Sequence, residues 1–392
     1  MRERNSAPET NAAKVLSAIY KGDRMTKNDK NTDFCGGKPL FDNLEEYYKI
    51  LSSDYPYFID KYFSLELLSR LKGVGLLCGT DWTPLFNNRF FYSRFDHSVA
   101  VALITWNFTK SRKQTLAALL HDVSTPAFSH VGDFRVGDAL TQVATEGSND
   151  FMVRDDVDLG MILNSDGLYS TEVGDYHRYP VADNEIPSLS ADRLEYMFPS
   201  GMALDGTWNL DEIRDVYDDI TLMLDENKKP ELGFCTKEIA ELYCKKFCHV
   251  GILVQKNENK VAMQLLADIC SLAVKLKILG ERDFFKFGEA DLIKKFETEA
   301  QKMKDSDNAD ENLFSRYFRT FRTMKEIKRS DSALDGHFCV NLAVKRRYID
   351  PLVIVDSRRG VRLHTISAKA AECIDEVLHY EDSPYGCVPL VS

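Results

Sequence analysis

The sequence predicts a mostly α-helical fold that ends in a small α+β region. From residue 41 to about residue 329, apolar residues recur at the three- and four-residue spacing of helices that face a core. After about residue 333 the spacing changes to short β-branched runs, which are typical of strands. A chain of 392 residues with 44% hydrophobic and 28% charged residues is long enough to bury a large globular core.

Three parts are predicted along the chain. Residues 1–33 form a polar, flexible N-terminal arm, residues 34–330 a helical domain, and residues 331–392 a small α+β region packed on that domain. In the helical part, apolar stripes predict helices over 41–52, 58–76, 96–108, 112–122, 189–198, 212–224, 236–254, 260–280, 289–304 and 312–329, with further helix and loops over 128–164. In the last part, strands are predicted over 338–343 and 352–355, and a helix over 367–379.

Two features of the predicted fold indicate where a functional site could lie: the end of one helix and a polar loop. Pro126 ends the helix over 112–122, so His121 and Asp122 lie near its C-terminal end, where side chains can project into a cavity. Two prolines and many polar groups over 175–187 predict a loop that covers the core.

Charge and cysteine content limit the possible partners. The net charge of −11 argues against a general nucleic-acid-binding surface but leaves room for a local basic pocket. No apolar run approaches the roughly 18 residues of a membrane helix, so no membrane partner is expected. The nine cysteines are odd in number and lack a framework spacing, which favours a reducing compartment and a cytoplasmic location.

A histidine and a histidine-aspartate doublet suggest a metal centre. His97 is followed about two helix lengths later by His121 and Asp122, and Asp192 is the candidate for a fourth ligand. Imidazole and carboxylate ligands without thiolate suit Mn, Fe, Ni, Co or Zn, with Mg able to accompany a substrate phosphate. Without a metal, burying these groups together would leave charge uncompensated.

The segments around these residues resemble the HD-domain phosphohydrolases, and more narrowly the branch that contains the deoxynucleoside triphosphate triphosphohydrolases. The matching segments are RFDHS at 94–98, LLHDV at 119–123, PAFSH at 126–130, ADRLEY at 191–196 and VKRRYIDPLV at 344–353. The resemblance spans about residues 45–380. It implies an HD-type helical core whose metal is held by His97, His121, Asp122 and Asp192, and it suggests a homo-oligomer.

The resemblance also implies which residues contact a phosphorylated substrate. Arg94, Arg193 and Tyr196 match substrate-facing positions, and His130 matches the second histidine of the loop after the doublet. A guanidinium is always charged and can bind phosphate oxygens in a bidentate manner. Each residue has a structural alternative: an ion pair of Arg94 with Asp96 or Glu195, core packing for Tyr196, and a core histidine bonded to backbone for His130.

The chain departs from the family pattern at two places. The family loop reads HD-x-G-H-G-P-F-S-H, and Thr125 stands where its middle histidine would be. The later His-Glu pair of the family falls at Asn149 and Asp150. Threonine and asparagine can bind a phosphate oxygen but cannot act as general acids near pH 7. Asp122, His130 and Asp150 are therefore predicted as catalytic residues, with Thr125 and Asn149 as substrate contacts.

His177 lies in the polar loop before Asp192 and is predicted as a substrate contact that replaces the lost proton donor. Together these residues predict a metal-dependent phosphohydrolase that acts on a nucleotide or related phosphate ester. The alternative is a catalytically reduced protein that binds a nucleotide as a sensor or regulator. Thr125 and Asn149 motivate that alternative, and they leave triphosphohydrolase activity the less expected reaction.

Two further patterns stay open. Cys244, Cys248 and His249 suggest zinc, but cysteines four residues apart also fit a buried helical face. The basic residues at 345–347, with Arg358, Arg359 and Arg362, suit either an anion site or solvated strand faces.

Overall fold

A computed structural model describes residues 37–144, 147–356 and 359–392. The arm predicted over residues 1–33 lies outside the described residues. The prediction of a mostly helical fold with small sheets is confirmed. Within the described residues, no helix is both long and apolar enough to cross a membrane.

The α-helices of the described residues are numbered in chain order. The first eight are α1 Leu44–Leu51, α2 Glu66–Ser69, α3 Arg94–Thr109, α4 Arg112–Leu119, α5 Val131–Arg135, α6 Asn149–Asp155, α7 Val157–Ser165 and α8 Ser170–Val173. The next eight are α9 Ala191–Leu204, α10 Leu210–Asp218, α11 Lys237–Leu253, α12 Asn257–Lys275, α13 Glu289–Lys302, α14 Ala309–Thr323, α15 Leu363–Ile366 and α16 Ala368–His379.

Helix α3 is the centre of the larger of two hydrophobic clusters. Its residues from Val99 to Ile104 are all buried, because α1, α4, α9 and the segment after α2 surround it. Ser93 caps its first turn by accepting a hydrogen bond from the backbone of Asp96. The second cluster is formed mainly by α12, α13 and α14, with Ala127 and Phe128 of the preceding loop and Val131 and Phe134 of α5.

Within the described residues, seven strands form two small sheets. The strands are β1 Ile220–Leu224, β2 Pro230–Phe234, β3 Lys328–Ser330, β4 His337–Val340, β5 Leu352–Asp356, β6 Arg359–Arg362 and β7 Tyr385–Pro389. One sheet has the order β1-β2-β5-β6, in which β2 and β5 are parallel, and the other has the order β3-β7-β4. Strands β4 and β5 lie where short β-branched runs predict them.

The helix predicted over 212–224 is wrong in its second half. Helix α10 ends at Asp218, and the following residues form β1, which pairs antiparallel with β2. Ile220, Leu222 and Leu224 also alternate with period two, so the local pattern fits both structures. Pairing with β2 decides the outcome, since strand preference depends on the neighbouring strand.

The cysteine spacing gave no indication of the Cys339–Cys387 disulfide. These residues occupy facing positions on β4 and β7. The two cysteines are 48 positions apart in sequence, and only the pairing of the strands brings them together.

Candidate metal centre and its cavity

Three helical segments bring the candidate ligands together. His97 lies in the first turn of α3, His121 follows the end of α4, and Asp192 is the second residue of α9. Helix α3 packs against both α4 and α9, so residues distant in sequence meet at one point. Ser190 caps α9 by accepting a hydrogen bond from the backbone of Arg193, which fixes the start of that helix.

His97, His121 and Asp192 have the spacing of metal ligands. Nε2 of His97 lies 3.2 Å from Nε2 of His121 and 3.0 Å from Oδ1 of Asp192, and the distance from His121 Nε2 to that oxygen is 3.4 Å. Ligand atoms about 2.1 Å from one metal ion are separated by about 3.0–3.4 Å at octahedral to tetrahedral angles. This group could therefore hold a metal ion, and its nitrogen and oxygen donors fit the transition metals named above.

Asp122 lies at the margin of this group. Its Oδ2 is 3.7 Å from His97 Nε2 and 3.9 Å from His121 Nε2, and it accepts a hydrogen bond from Arg94 Nη1 at 2.6 Å. Its other oxygen accepts a hydrogen bond from the Thr125 hydroxyl at 3.0 Å. Burial alone would raise the pKa of Asp122, but Arg94 and the two imidazoles outweigh burial and lower it.

The far nitrogens of both histidines are bonded to protein groups. Nδ1 of His97 donates to Glu195 at 2.5 Å, and Nδ1 of His121 donates to the backbone oxygen of Ala118 at 2.7 Å. Such bonds fix the tautomer and direct Nε2 toward a metal. Sequence reasoning did not identify Glu195 as an orienting residue. Its position three residues after Asp192, on the same helix, was the available signal.

The carboxylates also control the protonation of the imidazoles. Burial lowers the pKa of His97, but Glu195 and Asp192 outweigh it and raise that pKa to about 10. The pKa of His121 is raised by Asp122 and Asp192 against the same effect of burial. A divalent cation would replace these protons, because metal binding requires neutral imidazole.

A cavity of about 320 Å³ opens beside the group. This volume lies at the lower end of the range of small-molecule sites, about 300–1,000 Å³. The sequence-predicted site residues that line it are His97, His121, Asp122, Asp192, Arg94, Thr125, His130, His177, Arg193 and Tyr196. The cavity thus brings together all but two of the residues predicted to form the site.

The two exceptions are Asn149 and Asp150, which lie at the start of α6 away from the cavity lining. The amide of Asn149 donates to the backbone oxygen of Gly174 at 3.3 Å, and Asp150 forms an ion pair with Arg154 at 2.8 Å. Their roles in substrate binding and proton transfer stay predictions.

Arg94 and Arg193 are both engaged by protein groups. Arg94 donates to Asp122 and, through Nε, to the Ser129 hydroxyl at 2.7 Å. The Arg193 guanidinium forms an ion pair with Asp183 and donates to the carbonyl oxygens of Asn184 and Ser188. Arg193 therefore holds the loop over 183–188 against the cavity.

His130 is uncharged at neutral pH. Burial, with Arg94 and Arg347 nearby, lowers its pKa to about 4, although the hydrogen bond to Asp133 opposes the shift. Its Nδ1 lies 2.9 Å from Oδ2 of Asp133, which leaves Nε2 for the cavity. His177 stacks on Tyr176 with ring centroids 4.2 Å apart, and both residues line the same cavity.

The cavity also contains residues that the sequence did not single out for it. Lys345 and Arg347 line its wall together with Gln142, whereas Arg346 between them is exposed. Nη2 of Arg347 donates to Oε1 of Gln142 at 2.7 Å, and its guanidinium carbon lies 5.7 Å from the centre of the Tyr196 ring. The basic run over 345–347 was the signal, but only the folded chain shows which members face inward.

The possible zinc site of Cys244, Cys248 and His249 on α11 is not formed. Cys244 and Cys248 are buried, and the Cys244 thiol contacts the backbone oxygen of Ile349. The His249 ring is about half exposed and pairs with Asp205 at 2.7 Å.

Comparison with known proteins locates the fold but not a family. No protein-family model matches the chain. An uncharacterized protein of Bacillus subtilis (strain 168), YdhJ, is 29% identical over 130 residues, which are 33% of this chain. That match spans 38% of the length of YdhJ.

Two solved structures share the fold over most of their length. A phosphohydrolase from Bacteroides thetaiotaomicron VPI-5482 aligns with 87% of this chain and 94% of its own, with a TM-score of 0.53 and 11% identity. A hypothetical protein from Aquifex aeolicus aligns with 84% of this chain and 91% of its own, with a TM-score of 0.56 and 14% identity. The chain therefore has a fold similar to that of a phosphohydrolase, with a buried His/His/Asp group that could hold a metal ion.

Proposed function

We propose that this protein is an HD-type metal-dependent phosphohydrolase that acts on a nucleotide or related phosphate ester. The observation that carries the proposal is the meeting of His97, His121 and Asp192 within 4.8 Å at the wall of a cavity of about 320 Å³. The phosphohydrolase-like fold supports it. The likeness to the deoxynucleoside triphosphate triphosphohydrolases rests on the sequence segments alone.

In this proposal His97, His121 and Asp192 hold a divalent transition metal, with Asp122 as a fourth ligand. When bound, such an ion activates a water molecule and polarises a phosphoryl oxygen. Arg94 keeps the Asp122 carboxylate charged and oriented through its 2.6 Å contact. The uncharged His130 offers Nε2 to a proton, because its Nδ1 is bonded to Asp133.

Metal content provides the first test. The purified protein, reconstituted with Mn, Fe, Ni, Co or Zn and then dialysed, should retain about one ion per chain in elemental analysis. Asp192→Ala should lose that ion, and the control Asp175→Ala, which changes a half-exposed aspartate outside the group, should keep it. Absence of retained metal in the unmodified protein would end the proposal.

The reaction is tested with a panel of nucleotides and phosphate monoesters. Release of phosphate, pyrophosphate or triphosphate is measured separately, since the product identifies the bond that is cleaved. Triphosphate release from deoxynucleoside triphosphates would support the narrower resemblance. Turnover that is lost in Asp192→Ala and kept in Asp175→Ala would support the metal-dependent mechanism.

A sensor that binds a nucleotide without turnover is the second candidate. The Thr125 hydroxyl donates to Asp122 at the place where the related enzymes carry a histidine, so this position holds no ionisable proton donor. Tight nucleotide binding in calorimetry, with no product from the same nucleotide over hours, would favour the sensor over the enzyme.

A further inference from the structure

Helices α6, α7 and α8 carry large apolar side chains on their outer side. The three helices contact one another and bury Val153, Leu163 and Val173 in the core. A surface helix normally carries polar residues opposite its buried face. Here four large apolar side chains, named together the α6–α8 surface, are 60–73% exposed instead: Phe151, Val157, Met161 and Tyr169.

The centre of this surface is open. Val157 and Met161 are one helical turn apart on α7, so both lie on the same side of the helix. A methyl group built on Gly160, beside Met161, would meet no atom of another part of the protein within 4 Å. Exposed apolar side chains that are grouped in this way, rather than scattered singly, indicate a site of interaction.

Negative charge surrounds Val157. Asp155 and Asp158 are exposed, and Asp156 accepts the hydrogen bond that caps α7. No lysine or arginine within the described ranges forms an ion pair with these three aspartates. In a two-fold dimer the surface would meet its own copy, so aspartates would face aspartates. A partner that is both apolar and basic is therefore the complementary one.

The chain before Gly37 contains a segment of this kind. Residues 12–20 read AAKVLSAIY, in which Val15, Leu16, Ile19 and Tyr20 have a spacing that falls on one side of a helix. Basic residues outnumber acidic ones by four to one between residues 12 and 27: Lys14, Lys21, Arg24 and Lys27 against Asp23.

This segment is long enough to reach the α6–α8 surface. Leu40 pairs with Phe91, just before α3 begins. Asp166, at the C-terminal end of α7, pairs with Arg112, just after α3 ends. The two places are therefore separated by roughly the length of α3, which is 16 residues or about 24 Å. The stretch between residues 20 and 37 can span up to about 56 Å when extended.

We propose that residues 12–20 dock on the α6–α8 surface and cover its apolar side chains. The apolar side of the segment packs on Val157 and Met161, and its lysines lie toward the aspartates that flank Val157. This docking is independent of the metal and of the reaction proposed above. Helix α8 is followed closely by Tyr176 and His177, which line the cavity, so the docked segment lies next to a cavity-lining part of the chain.

Hydrogen exchange of the full chain, followed by mass spectrometry, tests the docking. Amides of residues 12–20 should exchange about 10- to 100-fold more slowly than those of an unstructured segment, because they exchange only when the segment leaves the surface. Met161→Asp places a charge on the surface and should remove this protection. The matched control Leu224→Asp introduces the same charge at a strand residue that is also 60% exposed, and it should leave the protection unchanged. Thermal melting confirms that both variants are folded.

A photoreactive benzoylphenylalanine in place of Leu16 identifies what the segment contacts. Irradiation of the dilute full chain should give a cross-link within one chain to the region of residues 149–169. Cross-links to a second chain, with a concentration-dependent mass in sedimentation that Met161→Asp abolishes, would assign the surface to a dimer and overturn the proposal. A cross-link to another part of the chain, exchange of residues 12–20 at unstructured rates, or protection that survives Met161→Asp also overturns it.

Discussion

Two glutamates of this protein are equally buried but have different surroundings. Glu195 and Glu289 are both 0% exposed, and each accepts three hydrogen bonds. Glu195 accepts from His97 at 2.5 Å and from the hydroxyls of Tyr92 and Tyr47 at 2.7 and 3.0 Å. One of its donors can therefore carry a positive charge.

Glu289 has only neutral donors. It accepts from Trp82 Nε1 at 2.6 Å and from the backbone nitrogens of Gly75 and Phe128 at 2.9 and 3.1 Å. Burial, with the carboxyl of Asp81 nearby, raises the pKa of Glu289 to about 8 in spite of these bonds. Glu195, in contrast, has an imidazole among its three donors, so equal burial and an equal number of hydrogen bonds do not give the two glutamates the same electrostatic surroundings.

Each glutamate accepts a hydrogen bond from a residue in or next to the candidate site. Glu195 orients His97 directly. Glu289 holds the backbone of Phe128, which with Ser129 adopts a left-handed conformation at φ values of 65° and 55°. The Ser129 hydroxyl accepts a hydrogen bond from Arg94, which in turn contacts Asp122. Glu195 thus stabilises the orientation of His97, and Glu289 stabilises the loop whose Ser129 contacts Arg94.

The largest expected effect is the loss of Glu195. Glu195→Ala leaves the His97 imidazole and two tyrosine hydroxyls without an acceptor in a buried place. Removing one partner of a buried charged pair should lower the free energy of unfolding by about 3–5 kcal/mol. Urea denaturation at pH 7 measures it, and a loss under 1 kcal/mol would show that the pair is not charged.

Glu195→Gln keeps the shape and removes the charge. We expect metal affinity to fall about 10- to 100-fold, because the residue that orients a ligand histidine is weakened. Competition with a fluorescent chelator measures this. Glu289→Gln is the matched control, since Glu289 is as deeply buried but touches no candidate ligand, and its metal affinity should stay close to that of the unmodified protein.

The second prediction concerns pH and Glu289. In the unfolded chain this carboxyl loses its proton near pH 4.5, whereas in the folded protein it keeps the proton until about pH 8. The protonated Glu289 therefore contributes fully to the free energy of unfolding below pH 4.5. This contribution is lost as the pH rises to 8, by at most about 1.4 kcal/mol per pH unit. Asp81, with a pKa raised to about 6, contributes in the same direction at lower pH.

Urea denaturation at pH 5.5, 7 and 8.5 checks this. The difference in unfolding free energy between the unmodified protein and Glu289→Gln should shrink by a few kcal/mol from the first pH to the last. A difference that is constant with pH would contradict the raised pKa of Glu289.

The smallest effect separates charged from neutral hydrogen bonds. Tyr92→Phe removes one donor to Glu195 and should cost about 1.5–3 kcal/mol, the range for bonds to charged groups. Tyr217→Phe is the matched control, because this buried hydroxyl donates to the neutral backbone oxygen of Leu51, and it should cost about 0.5–1.5 kcal/mol. Equal costs would mean that Glu195 behaves as a neutral acceptor.

The sequence allowed us to predict site residues whose ionisable side chains are unusual in an apolar core. His97, His121 and Asp192 stood out because imidazoles and carboxylates rarely enter an apolar core without a shared partner. The helices were predictable because a helix with one buried face has apolar residues at regular spacing in the sequence. The hairpin of β1 and β2 was missed, because its first strand also fits a helix.

Long-range neighbours were not predictable from the sequence. Arg347 reaches the cavity from a segment 155 positions after Asp192, and nothing local distinguishes it from the exposed Arg346. Glu289 meets Gly75, Trp82 and Phe128 only in the folded chain. Such contacts depend on helix packing, which one sequence does not reveal.

The parallel pairing of β2 with β5 has a consequence for the order of folding. The start of α9 is tied to β2 by the bridge between Leu189 and Leu232, and β2 pairs with β5, where Gly233 faces Leu352. Pairing β2 with β5 closes the long stretch of chain between them, which costs more chain entropy than forming the local contacts within α3 and α4. We expect amide protons of β5 to gain protection later than those of α3 in pulsed hydrogen exchange during refolding. The sheet that holds the start of α9, and with it Asp192, would then form in one of the slowest steps of folding, after the other helices have docked.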